Sequence, residues 1–190
     1  MSAWKDFVAD IAGLLARTET HTHGGARIDV EQAFAHWVGW ALGTRTACGS
    51  VYFAGNGASA SMACHFSADL AKNARVRTQV FTDPSLMTAV GNDVCYDAVF
   101  SEPLSWFGRE GDLLVTISSS GNSPNVVKAL ETARQKGIRS VALSAMRPEN
   151  ASRTLADLSI YVPAGTYGLA ETCHAAVLHH WMDLVEAECR

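Results

Sequence analysis

Two short stretches of this 190-residue chain carry side chains able to ligate a metal ion or move protons. The first, GNGASASMACHFSADL (55–70), sets His65 four residues before Asp69. On a helix that spacing stacks them on one face at neighbouring turns, where they could share a cation or act as an acid/base pair. The plain alternative is an exposed histidine with a helical charge partner. The second, ETCHAAVLHHWMD (171–183), offers Glu171, His174, His179 and His180. Successive helical residues point about 100° apart, so His179 and His180 cannot serve one site. Glu171 can pair with His174 at three-residue spacing, or all three histidines can simply face solvent. Glu171 and His179 are separated by roughly 12 Å on a straight helix, so joint ligation needs Glu171 to reach in from the first turn or the preceding loop.

Two other stretches can hold an anion. SSSGNSPN (118–125) supplies Ser118, Ser119, Ser120 and Ser123, with Gly121 to relax the backbone. Ser123 is spaced as an N-cap and Pro124 as the first helical residue. Hydroxyls and free helix-terminal N–H groups bind phosphate without lysine; a serine-rich turn before a capped helix has the same pattern. In GNGASA, Gly55, Gly57 and Ala60 match G-x-G-x-x-G/A, and Asp83 could stand as a ribose-binding acid, which keeps a dinucleotide in play. A nucleotide P-loop is excluded by the lack of Gly-Lys-Ser/Thr. Two hydroxyl-rich loops on one edge favour a small monophosphorylated molecule.

The elements that must position these groups follow from hydrophobic periodicity. Helical patterns cover 3–18 and 29–46, separated by the polar HTHGGA. Near-continuous apolar runs at 50–54, 78–82, 113–118, 139–144 and 158–162 suit strands buried on both faces. Helical patterns follow the first, third and fourth runs, 97–107 reads as another helix, and an amphipathic helix spans 171–188. The alternation predicts an α/β fold, a doubly wound five-stranded parallel sheet flanked by helices. In such sheets ligands bind beyond the carboxyl ends of the strands, where both hydroxyl-rich loops should lie. Fifteen basic against nineteen acidic residues, with no basic run, argue against a nucleic-acid partner. Five scattered cysteines without C-x-x-C, a first helix broken by Lys5, Asp6 and Asp10, and no membrane-length apolar stretch fit a cytoplasmic protein.

AGNGASASMACHFSADL, VGND, FGREGDLL and ISSSGNSPNVVKALETARQKG occur in that order. Together they resemble the sugar isomerase (SIS) family, and within it the phosphoheptose isomerases, from about Cys48 to the C-terminus. The resemblance implies a single SIS domain over 1–190, with N-terminal helices in 1–47 and an α/β core with a C-terminal helix in 48–190. It implies interconversion of sedoheptulose 7-phosphate and D-glycero-D-manno-heptose 7-phosphate through a cis-enediol. It further implies Zn2+ on His65, Asp69, Glu171 and His179, with Asp69 or Glu171 as base and His179 as its partner. Ser59, Ser118, Ser119, Ser120 and Ser123 would clamp phosphate, with Asn56, Gly57, Ala58, Asn92, Asp93 and Glu171 shaping the rest of the substrate site.

Departures from the family pattern are specific. Asp69 stands where the family has Glu, which withdraws the carboxylate by roughly 1.5 Å, and Glu171 stands where it has Gln. Two carboxylates with two imidazoles favour a divalent cation more than one carboxylate and an amide do. A substrate-contacting arginine expected after the first core helix has no equivalent; Asn73 falls there, with Lys72, Arg75 and Arg77 near it. The family also implies a homotetramer with terminal helices bundled between subunits. Trp4, Phe7, Trp37, Trp40 and Trp181 lie on those helices, where they could form that bundle or ordinary core. The alternative is a non-catalytic SIS protein, binding a phosphosugar as a sensor or a replication initiator as a partner.

Overall fold

The computed structural model describes residues 3–190. In chain order the elements are α1 (Trp4–Ala16), β1 (Glu19–Thr22), β2 (Arg27–Ile28), α2 (Val30–Thr46), β3 (Ser50–Gly55), α3 (Ala58–Ala74), β4 (Arg77–Val80) and α4 (Pro84–Asp93). After a 3-10 turn at Tyr96–Ala98 come α5 (Ser101–Phe107), β5 (Leu113–Ser118), α6 (Pro124–Gln135), β6 (Arg139–Ser144), α7 (Ala151–Leu155), β7 (Leu158–Tyr161) and α8 (Tyr167–Glu188). They build one sheet of seven strands in the order β2-β1-β7-β6-β5-β3-β4. The five apolar runs are its parallel part: β3 pairs with β4 and β5, β5 with β6, and β6 with β7.

The sheet differs from the expected five strands by a hairpin at one edge. β1 runs antiparallel to β7, with Glu19 opposite Tyr161 and Thr22 opposite Leu158, and β2 folds back on β1. The polar ETHT of β1 is held by the ladder and by side chains, so an apolar-run criterion passes over it. Thr20 is buried and its hydroxyl donates to the Ile28 carbonyl at 2.7 Å. The Arg153 guanidinium donates to Glu19 Oε2 at 2.8 Å while lying 4.3 Å over the Tyr161 ring. Residues 1–47 therefore contribute strands as well as helices. α4 is also additional to the expected elements; Asp83 caps it by accepting from the Leu86 N–H at 3.0 Å, and Pro84 occupies its first turn.

Each face of the sheet buries its own apolar layer. On one, α1, α2, α3 and α8 pack Leu14, Phe34, Trp37, Phe66, Leu70 and Trp181 against Phe53, Ile117 and Leu143. Trp37 and Trp181 stack at 4.2 Å, nearly parallel, and both are fully buried, so these two belong to the intrachain core. Trp4 is 76% exposed. On the other face, α4, α5 and α6 cover Tyr52, Phe81, Leu114 and Ala142 with Val90, Phe100, Leu104 and Leu130.

His174, on the inward face of α8, is fully buried and neither ring nitrogen makes a well-formed hydrogen bond. Burial pushes its pKa down to about 4, against a smaller opposing contribution from the Ser144 backbone. Its folded pKa lies below the ordinary 6.5, so the unfolded chain takes up the proton first as pH falls. The contribution to stability is complete above pH 6.5 and is lost as pH drops toward 4, at about 1.4 kcal/mol per pH unit within that window. Denaturant titrations at pH 7 and pH 5 should show the wild type losing about 2 kcal/mol more than His174→Met. An identical pH dependence in the two proteins would contradict a neutral buried imidazole.

Candidate active site

β3 and β5 lie side by side and parallel, so both end at the same edge of the sheet. There the β3–α3 loop and the β5–α6 loop enclose a cleft of about 170 Å³. Its walls are Asn56, Ser59, Ile117, Ser118, Ser119, Ser120 and Ser123, closed by Tyr167 and Glu171 from the first turns of α8. The two hydroxyl-rich loops thus converge, as the alternating pattern requires.

Local chemistry explains how each loop turns. Gly57, the residue before α3, has φ +57 and ψ −124, a conformation open essentially to glycine alone. Gly121 has φ +64, and a Cβ there would collide with the Asn150 side chain. Ser123 takes the N-cap position of α6 with Pro124 in the first turn, but its hydroxyl does not cap the helix. It faces Ser118 Oγ at 3.3 Å instead, leaving both oxygens on the cleft.

Hydrogen bonds tie the loops to each other and to α7. Asn56 and Asn125 exchange amide hydrogen bonds in both directions, each 2.9 Å, with Asn125 only 2% exposed. The Tyr96 hydroxyl also donates to Asn56 Oδ1 at 3.4 Å. Behind the serine loop, Ser152 donates to the Gly121 carbonyl through both its backbone N–H (3.0 Å) and its hydroxyl (2.9 Å). The Ala151 N–H donates to Asn122 Oδ1 at 2.9 Å. The start of α7 therefore braces the serine turn from outside the cleft.

His65 and Asp69 face each other on α3, Nε2 to Oδ2 at 3.4 Å, and Lys72 Nζ lies 3.6 Å from the other Asp69 oxygen. From α8, His179 sets its ring edge-on to His65 at 5.6 Å and to Phe66 at 4.8 Å. His180 points instead to α2, where its ring meets Phe34 at 4.8 Å. The two adjacent histidines serve different surfaces, as the helical angle demands. Two donors of one tetrahedral zinc stand roughly 3.3 Å apart, so His65 and Asp69 fit a divalent cation in type and spacing. Glu171 does not join them in one chain: α8 is continuous from Tyr167, which holds Glu171 at the serine cleft. No three histidine, cysteine, aspartate or glutamate side chains among the described residues are placed to hold one metal ion.

Other residues singled out by motif have different surroundings. Gly57 and Ala58 form the turn into α3 without lining the cleft, and Asn92 and Asp93 are exposed at the end of α4, with the Asn92 amide donating to Asp93 at 2.8 Å. Asp83 directs its carboxylate to the Leu86 N–H, which removes the motivation for a ribose contact. Arg77 begins β4 at the opposite edge of the sheet. Tyr167 and Asn125 line or brace the cleft without having been anticipated; Thr166, which caps α8 through the Leu169 N–H, was the available signal for Tyr167. No lysine or arginine lines the cleft, no helix among the described residues is long and apolar enough to cross a membrane, and all five cysteines are free.

Comparison with known proteins agrees with this geometry. The SIS domain family model matches residues 42–145. A phosphoheptose isomerase of Akkermansia muciniphila is 40% identical over 151 residues, covering 76% of this chain and 79% of that protein. The structure of a phosphoheptose isomerase from Neisseria gonorrhoeae superposes with a TM-score of 0.76 at 30% identity, over 81% of this chain and 86% of that one. The fold is shared along nearly the full length with a phosphoheptose isomerase from Francisella tularensis, at a TM-score of 0.81 and 21% identity, covering 98% and 100% of the two chains. The chain belongs to the SIS-domain family, in its phosphoheptose isomerase branch, and is an enzyme of the isomerase class.

Proposed function

We propose that this protein interconverts sedoheptulose 7-phosphate and D-glycero-D-manno-heptose 7-phosphate by proton transfer through a cis-enediol. One observation carries the reading: Ser59, Ser118, Ser119, Ser120, Ser123 and the Glu171 carboxylate line one cleft at the edge where α3 and α6 begin. A phosphate there meets hydroxyl donors and helix N-termini, which favour an anion without a basic side chain. In an extended seven-carbon sugar the carbonyl end lies roughly 10 Å from the phosphorus. That reach is comparable with the roughly 12 Å of helix rise from Glu171 to His179. With phosphate on the serines, the carbonyl end of a long sugar would extend toward the α3–α8 seam of Asp69 and His179.

In this reading Asp69 takes a proton from C1 of the ketose as the C1–C2 double bond forms. The carbonyl electrons move to O2, which His179 protonates. Return of the proton to C2, with loss of the O1 proton to the imidazole, gives the aldose. A carboxylate and an imidazole can hold these opposite protonation states near neutral pH. Glu171 accepts hydrogen bonds from sugar hydroxyls inside the cleft. His65 and Asp69 are the pair that would hold a divalent cation, which would supply polarisation of the carbonyl and enediolate oxygens, while His179 stays unligated as the proton carrier.

Incubation with C5, C6 and C7 ketose phosphates should yield aldose fastest from the C7 compound. Asp69→Asn and His179→Ala should lower kcat by about 10²–10⁴, while Glu171→Gln should chiefly raise KM. Loss of kcat in Glu171→Gln alone would move the base to that residue, and no aldose from any substrate would refute the reading. Elemental analysis should find about one zinc per chain in the wild type and none in His65→Ala. Equal content in both would remove His65 as a ligand.

We infer further that copies associate through α1, α2 and α8. An apolar groove of about 260 Å³ between them is lined by Leu15, Val30, Phe34, Ala176 and Val177, and Trp4 and Val8 stand exposed on α1. Sedimentation velocity should give a tetramer for the wild type and smaller species for Trp4→Ser/Val8→Ser; a monomeric wild type would refute this.

A further inference from the structure

A second polar cleft, of about 220 Å³, opens at the amino-terminal edge of β3, β4 and β5, the end of the sheet away from the serine cleft. The register explains its chemistry. Ser50 pairs with Arg77 and Tyr52 with Gln79, so strand alternation points all four side chains to one face. That is the face covered by α5, and α5 ends there: Phe107 is its last residue and Arg109 follows on the loop into β5. The rim is therefore two guanidiniums, an amide and an aromatic ring, over the Tyr52 phenol.

The charges in this cleft are unevenly matched. Asp112 is buried at its floor, and both carboxylate oxygens are already engaged, Oδ1 by the Ser50 N–H and Oδ2 by the Arg109 N–H, each at 2.8 Å. Gly49 permits that approach, since a Cβ there would lie 2.8 Å from Asp112 Oδ1. Arg77 spends one N–H on the Cys48 carbonyl at 3.3 Å. Neither Arg77 nor Arg109 has an ion-pair partner among the described residues. In a chain of net charge −4, two guanidiniums without carboxylate partners share one concavity.

We propose that this amino-edge cleft is an anion-binding site for a phosphate group, separate from the serine cleft. Two guanidinium forks and the Gln79 amide present more donors than a carboxylate's two oxygens use, and they suit a tetrahedral oxyanion. Phe107 supplies an apolar wall for the carbon part of a phosphate ester. A bound anion also replaces the ion-pair partners that the fold withholds from Arg77 and Arg109. The proposal is independent of the reaction assigned to the serine cleft.

The test follows backbone amide signals of the ¹⁵N-labelled full chain during titration with inorganic phosphate and, separately, with phenyl phosphate. Saturable shifts are expected at Ser50, Gln79 and Arg109 as well as at the serine loop. Because the Arg109 side chain makes no hydrogen bond among the described residues, Arg109→Gln should keep the rest of the spectrum and weaken the amino-edge binding at least tenfold. Arg77→Gln/Arg109→Gln should abolish it, with the serine-loop shifts retained in both variants. Tighter phenyl phosphate at this edge identifies an ester as the ligand class, and phosphate binding as tightly or more tightly identifies the free ion. Shifts confined to the serine loop, or amino-edge shifts unchanged in Arg109→Gln, would overturn the proposal.

Discussion

The reciprocal amide pair between Asn56 and Asn125 is the contact on which the cleft depends. β3 and β5 are adjacent and parallel, so their following loops necessarily meet at one edge. Adjacency alone would leave two independent loops, each free to adjust. The amide pair uses a donor and an acceptor on each side, so neither asparagine can turn away without stranding a buried polar group, at a cost of about 1–3 kcal/mol. The start of α7 then braces the serine turn through Ser152, Ala151 and Asn150. Three segments far apart in sequence thus hold the serine hydroxyls in place before any ligand arrives, which lowers the ordering cost of binding.

Charge is distributed so that the two ends of the sheet differ. The serine cleft is walled by hydroxyls and one carboxylate, Glu171, with no basic side chain among its lining residues. The opposite end holds Arg77 and Arg109 over an Asp112 already satisfied by backbone. β3 runs between them. Along α3 and α8 a third set, His65, Asp69 and His179, occupies the seam between helices. In the proposed reading the serine cleft would bind the phosphate and the α3–α8 seam would move the protons.

Much of this was legible in the residues. Buried parallel strands announce themselves as apolar runs, and β5 and β6 match their expected limits. Ser123-Pro124 marked the start of α6, and helical geometry alone separated His179 from His180, whereas the expected sharing of one cation by Glu171 and His179 is not met within one chain. What escaped was stabilised by partners remote in sequence. β1 is polar and exists through its ladder with β7 and the Arg153–Glu19 contact. Asn125 reads locally as an ordinary second residue of a helix, and only the fold brings it to Asn56. Arg77 and Arg109 are 32 positions apart (109 − 77), and strand register with the end of α5 is what unites them.

Proton exchange at carbon tests the central claim most directly, because a protein that only binds phosphosugars cannot perform it. The wild-type protein should be held with sedoheptulose 7-phosphate in D₂O and the sugar followed by proton NMR. An enediol formed at this site predicts enzyme-dependent entry of deuterium at C1 of recovered ketose and at C2 of the aldose. Aldose formed without deuterium would point to a direct hydride shift or a fully shielded proton. A ketose that stays unlabelled and unconverted would contradict the account altogether.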